Sequence, residues 1–125
     1  MTKPSLILVP LLVNAKKIDT LRSNFDAPME IVLMRTRLEF SDGWLSKVSK
    51  EIEERLTMIS VTHGKDSKEW ALVVTGPAII DLIIFYKIYE LFNEFPILLC
   101  YDKVRGNYKI LSLRQGDLDE SSVSS

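Results

Sequence analysis

Four short, mainly apolar runs, each stopped abruptly by polar or turn-forming residues and only the second interrupted, by Glu30, constrain this chain more than any other feature. Ser5-Leu6-Ile7-Leu8-Val9 stops at Pro10, Met29 to Met34 at Arg35, Trp70 to Val74 at Thr75-Gly76-Pro77, and Pro96 to Tyr101 at Asp102. Runs of this length without polar alternation are the pattern of strands covered on both faces. Helical patterns separate them. Ile18 and Leu21 share one face of a segment around Ala15 to Asn24, and Ala27-Pro28 then resets the chain. After Ser41-Asp42-Gly43, the residues Trp44, Val48, Ile52 and Leu56 recur every four positions, with Lys47, Lys50, Glu51 and Glu54 on other faces; this is an amphipathic surface helix. A polar loop from Thr62 to Lys68 follows. Pro77 suits the first position of a third helix, with Gly76 as its cap and an end near Asn93. Arg105-Gly106-Asn107 marks a turn, from which Tyr108 to Leu113 returns as an antiparallel partner.

The order β-α-β-α-β-α-β-β, joined by right-handed crossovers, predicts an α/β fold of Rossmann type. It is expected as a three-layer sandwich with a mostly parallel sheet and a C-terminal antiparallel hairpin. Residues 1–115 are expected to form one domain, and the acidic, serine-rich 116–125 a frayed tail. Ligands of such sheets bind beyond the carboxyl ends of the strands, at the switch in strand order. That rule nominates Pro10, Leu11, Leu12 and Asn14 after the first strand, and Arg35, Thr36 and Arg37 after the second. After the third it nominates Thr75, Gly76, Pro77 and Ala78, and after the fourth Tyr101.

Each nomination has an ordinary structural alternative. Thr75-Gly76-Pro77 offers a hydroxyl, a close approach without a Cβ and a helix N-terminus, a cradle for phosphate or ribose, and equally an ordinary strand-to-helix turn. Arg35 and Arg37 alternate at a strand end and so face one way, toward solvent or a shared ligand. In the third helix Leu82, Ile84, Phe85, Ile88, Tyr89, Leu91 and Phe92 cover about half the circumference, with Ile83 and Tyr86 on the remaining face. Such a helix is either deeply packed or covers both the sheet and a second subunit, which makes a homodimer the expectation. Asp81 falls near the middle of that arc and requires a partner, a backbone donor or solvent.

Several chemistries are excluded. Net charge is −1 and the isoelectric point about 5.8, so no global basic field exists to hold duplex DNA. No P-loop, G-x-G-x-x-G, G-x-S-x-G or Cys/His metal spacing occurs, so no cofactor, metal or catalytic residue is nominated. The lone Cys100 lies in an apolar run and reads as a core residue. His63, the only histidine, belongs to the end of the sheet away from the nominated loops. Ile79 to Phe92 is apolar, but Asp81, Lys87 and Glu90 interrupt it and it falls short of the ~20 residues of a membrane span. With no signal peptide either, a cytoplasmic protein is expected.

The segments Val9-Pro10-Leu11-Leu12, Trp70 to Pro77, Phe95-Pro96-Ile97-Leu98 and the closing hairpin together resemble a CRISPR-associated Rossmann fold (CARF) protein. The similarity is to the small stand-alone kind found beside type III CRISPR systems. In that family a proline-containing loop ends the first strand, a small-residue and proline turn ends the third, and an aromatic-proline pair opens the next. The resemblance implies a homodimer that binds a cyclic oligoadenylate, often cyclic tetra-adenylate, across its two-fold axis. Some relatives cleave the ring and others only hold it. The turn here has neither histidine nor lysine, which favours holding, so sequestration is the expected function. A metal-independent ring nuclease and a protein-interaction module without a nucleotide are the alternatives.

Overall fold

A computed structural model of the chain describes residues 3–35, 39–64, 69–75 and 78–113. Its elements follow in the order β1 (Leu6–Leu11), α1 (Ala15–Asn24), β2 (Met29–Leu33), α2 (Trp44–His63), β3 (Trp70–Val73), α3 (Ala78–Phe92), β4 (Ile97–Asp102) and β5 (Asn107–Leu111). The strands form one sheet in the order β2-β1-β3-β4-β5, parallel except for the antiparallel β4–β5 pair. This is the expected Rossmann-like class. The expected boundary near residue 115 and the tail 116–125 lie outside the described residues.

β1 is central and buried along its whole length. Leu6 and Leu8 point into a core shared with α2 and α3, while Ile7 and Val9 point into a second core beneath α1. The sheet is thus covered by one helix on one face and two on the other, a three-layer sandwich. Right-handed crossovers require this: β1 to β2 runs one way along the sheet, and β2 to β3 to β4 runs back the other.

Pro10 does not end β1, because the strand continues through it to Leu11. It ends one of the two ladders instead. The Ile7 N–H donates to Pro28 O on the β2 side at 2.9 Å, so by alternation the nitrogens of Leu8 and Pro10 face β3. Pairing with β3 stops at Leu8↔Leu72, whereas pairing with β2 continues to Leu11↔Leu33. A proline nitrogen has no proton to extend the β3 ladder. β1 and β3 therefore part company at their carboxyl ends, and the crevice opens there.

α1 has the bounds its sequence suggests: the Asn14 side chain caps it by accepting from the Lys17 N–H at 3.0 Å. α2 runs further than its sequence suggests. His63 lies in its last turn, not in a loop, and Gly64, at φ 90°, ends the helix. Arg55 bonds Glu30 at 3.1 Å and Ile31 O at 3.1 Å, which stitches this end of α2 to β2, while His63 Nε2 stays 3.8 Å from Glu30, beyond hydrogen-bond distance. Gly76 and Pro77, the expected cap and first turn of α3, lie outside the described residues.

α3 buries Ile80, Ile84 and Ile88, and Ile83 packs partly against the same core. Leu82, expected in the sheet-facing arc, is instead 63% exposed, and Tyr89 is also exposed. A helix apolar nearly all round has no strong preferred face, so its rotation follows from docking against α2 and the sheet. Phe95 then stacks on both Phe85 and Tyr89, with ring centroids 5.2 and 4.5 Å away, and fixes the return into β4. No helix among the described residues is long and apolar enough to cross a membrane.

The buried Asp81 has its partner in Thr75. Oδ2 accepts from the Thr75 N–H at 2.9 Å and Oδ1 from the Thr75 hydroxyl at 3.1 Å, which ties the end of β3 to the first turn of α3. Burial nevertheless dominates and raises the Asp81 pKa above the ordinary carboxyl value, the two Thr75 bonds opposing it. A carboxyl whose folded pKa is raised favours folding most when protonated. Its contribution is therefore full below the unfolded pKa and is lost as pH rises through the folded one.

Two outcomes follow for stability. Ile84→Ala should cost about 2–5 kcal/mol in denaturant unfolding, while Leu82→Ala should stay within about 0.5 kcal/mol. Asp81→Asn keeps both Thr75 bonds without the buried charge, so its stability should equal or exceed wild type at neutral pH and fall less between acid and neutral pH. Asp81→Ala leaves the Thr75 N–H unpaired and should cost about 1–3 kcal/mol. Thermal unfolding over that pH range measures both variants.

Candidate functional site

The switch in strand order lies between β1 and β3, where Pro10 has already separated the strands. A cleft of about 420 Å³ opens at this point on the α1 side of the sheet. Its floor is Val9 and Val73, strand residues of the core beneath α1. One wall is the first turns of α1, with Asn14, Lys16, Lys17 and Thr20; the other is the end of β3 and the β4–β5 hairpin, with Val74, Thr75, Tyr101, Lys103 and Tyr108.

The topology explains why this part of the sheet is open. α1 alone covers its face, packed against β5 through Phe25 and Tyr108 with ring centroids 6.5 Å apart. Tyr101 and Tyr108 are cross-strand partners and meet edge to face at 5.3 Å. Half of Tyr101 remains exposed. Burial first, and the neighbouring Tyr101 second, push the Tyr108 pKa up, so its ring presents a neutral phenol at neutral pH. The hairpin that carries them turns on Asp102, whose carboxylate accepts from the Val104 and Arg105 N–H groups, with Gly106 at φ 70°. Those backbone donors, Arg105 foremost, hold the Asp102 carboxyl below its ordinary pKa.

The electrostatics of the cleft are local. Lys16, Lys17 and Lys103 line it, and no carboxylate among the described residues pairs with their ammonium groups. The N-terminus of α1, which has no acidic residue in its first turn, adds partial positive charge to the same wall. A net negative chain thus gathers three cations, unpaired among the described residues, beside two aromatic rings. The arrangement suits an anion that carries a flat ring: ammonium groups and a helix N-terminus for the charge, tyrosine for the ring. Among the described residues no cluster of three or more His, Cys, Asp or Glu side chains could hold a metal. Burial raises the Cys100 pKa, the Asp81 charge adding to it, which makes the thiol a poor nucleophile.

Of the residues nominated from sequence, Asn14, Thr75 and Tyr101 come together in the cleft. Pro10 and Leu11 are buried in β1, Leu12 is half-buried with its N–H donated to Arg35 O, and Ala78 is exposed at the start of α3. Arg35 lies elsewhere. Its guanidinium bonds both carboxylate oxygens of Glu51, in a second cleft at the outer end of β2 lined also by Trp44 and Lys47. Thr36, Arg37, Gly76 and Pro77 lie outside the described residues.

Sequence reasoning passed over Lys16, Lys17, Thr20, Lys103 and Tyr108. The lysines did leave a signal. Two cations in the first turn of a helix oppose its dipole, so a pair directly after an Asn cap implies a compensating anion. Tyr108 was also within reach, because the Arg105-Gly106-Asn107 turn sets it opposite Tyr101.

No protein-family model matches this sequence, and no curated protein sequence does. A solved structure of an Acinetobacter baumannii Cap4 receptor, which contains a SAVED/CARF domain and was determined with the cyclic trinucleotide 2′3′3′-cAAA, is similar in fold, with a TM-score of 0.55. The likeness covers 90% of this chain and 26% of that one at 17% sequence identity. This chain therefore spans about a quarter of the receptor's length, and what the two share is a CARF-like fold.

Proposed function

We propose that this domain binds a cyclic oligoadenylate in the cleft between α1 and the β4–β5 hairpin and holds it intact. The observation that carries the reading is the convergence of Lys16, Lys17 and Lys103 with Tyr101 and Tyr108 at the strand-order switch. The lysines meet phosphates, a tyrosine takes an adenine face, and Thr20 and Asn14 supply polar contacts. Gly76 and Pro77 adjoin Thr75 in sequence and belong to the proposed contact set. The receptor similar in fold, whose structure holds a cyclic trinucleotide, supports this ligand class.

Ring size and symmetry extend the reading. A cleft of about 420 Å³ is toward the small end of the ~300–1,000 Å³ typical of small-ligand sites, and a four-nucleotide ring exceeds it. A second copy of the chain would cover the rest of a cyclic tetra-adenylate, whose own two-fold symmetry matches a two-fold dimer. Ile79, Leu82, Tyr86 and Tyr89 form an exposed apolar stripe along α3, spaced for one helical face, but it points away from the sheet on the side opposite α1, so the copy that completes the ring would meet the strand carboxyl ends and not this stripe. Such a dimer lowers the free concentration of a type III CRISPR messenger wherever the protein is at least stoichiometric with the ring and binds it tightly.

The test is to incubate the pure protein with cyclic tri-, tetra- and hexa-adenylate and to analyse bound and free species by chromatography. Intact cyclic tetra-adenylate recovered from the complex is the expected result. Linear product would replace holding with cutting, and no retention of any ring would overturn the reading. Lys17→Ala and Lys103→Ala should each weaken binding by about 1.5–3 kcal/mol, while His63→Ala, at the far end of the sheet, leaves it unchanged. Light scattering at micromolar protein should give a dimer mass. A monomer in the wild type, with and without ring, would remove the dimer from the proposal.

A further inference from the structure

We infer that Thr75 serves the cleft only as a hydrogen-bond acceptor, so that the ligand group it meets is a donor, a ribose hydroxyl or an exocyclic amine, and never a phosphate oxygen. The inference rests on the cleft being the ligand site proposed above. Thr75 lines it at the end of β3. A threonine hydroxyl has one proton and two lone pairs. Here the hydroxyl donates that proton to Asp81 Oδ1 at 3.1 Å, while Asp81 Oδ2 accepts from the Thr75 N–H at 2.9 Å. An ionised carboxylate only accepts, so the direction of the bond is set, and Asp81, 8% exposed, has no solvent to turn toward. What remains on the Thr75 hydroxyl is lone pairs. A phosphate oxygen brought against them would meet like charge density with a carboxylate directly behind it. Phosphates are thereby left to Lys16, Lys17 and Lys103, and Asp81 acts as a positioning residue that sets the polarity of Thr75.

The same geometry shows how to reverse that polarity. In Asp81→Asn the Thr75 N–H must face the amide oxygen, because the amide nitrogen carries only donors. The amide N–H then points at Thr75 Oγ1 and donates to it, which frees the hydroxyl proton to turn into the cleft. The group then offers a donor beside its one remaining lone pair, with no change in its position.

The experiment compares three rings on four proteins at neutral pH: cyclic tetra-adenylate, its inosine counterpart, in which a carbonyl replaces the exocyclic amine, and its 2′-fluoro counterpart, which cannot donate from the ribose. Wild type should bind the adenylate ring about tenfold more tightly than one of the two analogues, the loss of one hydrogen bond. Which analogue suffers identifies the donor as amine or hydroxyl. That discrimination should vanish in Thr75→Val, weaken in Asp81→Asn, where the freed proton can also serve an acceptor on the ring, and survive in Thr75→Ser, which keeps the hydroxyl. If wild type does not distinguish the rings, or if Thr75→Val distinguishes them as wild type does, the acceptor role is wrong although the site stands. If wild type retains none of the three rings, the reading of the cleft has failed and this inference falls with it.

Discussion

The whole arrangement depends on β1 having apolar side chains on both faces. Leu6 and Leu8 require cover on one side, Ile7 and Val9 on the other, and all of them are sealed. A strand of this kind is stable only at the centre of a sheet with helices on both faces. From that requirement come the reversal of strand order about β1, the placement of α1 opposite α2 and α3, and the switch point itself. Pro10 adds one local condition: it withholds a donor from β3 where the chain reverses direction along the sheet. The crevice is thus a consequence of how the core closes, not a feature added to it.

One helix on one face and two on the other leaves an imbalance. The α2–α3 face is filled by isoleucines and by Trp70 against Phe92 at 5.1 Å. The α1 face has a single helix for five strands, so its far side ends in the Tyr101–Tyr108 pair and not in a second helix. Tyrosines tolerate that half-covered position because their rings pack while their hydroxyls meet water. Lysines at the rim then give an electrostatic character that net charge conceals. A chain of charge −1 can favour an anion at one place when three cations there have no carboxylate partner among the described residues.

Asp81 connects the two sides. It sits in α3, on the face away from the cleft, yet bonds twice to Thr75 on the cleft wall. Its burial is unfavourable for a carboxylate, and a carboxylate in that position controls the proton of a neighbouring hydroxyl in a way an apolar residue could not. The exposed stripe of α3 begins within the same turn, at Ile79 and Leu82. Asp81 therefore ties the cleft wall at Thr75 to the first turn of α3.

Much of this was readable in the chain. Mainly apolar runs, Asn14 before a helical period, and turn residues at Arg105-Gly106-Asn107 are local signals, and the class, the order of elements and the end of the sheet that opens follow from them. The lysine pair after Asn14 was readable too, as a contradiction of the helix dipole. Other facts were not local. Two arginines at a strand end read alike whether they await a ligand or an ion-pair partner, and only the packing of α2 beside β2 puts Glu51 against Arg35. An all-apolar helix gives no rotation from its sequence, so the exposure of Leu82 and the partial burial of Ile83 were decided by what α3 docks against. The sequence by itself determined which segments must be covered, because burial follows from side-chain chemistry. Tertiary structure alone decided which charges are neutralised and which remain open, because that depends on distances between residues far apart in the chain.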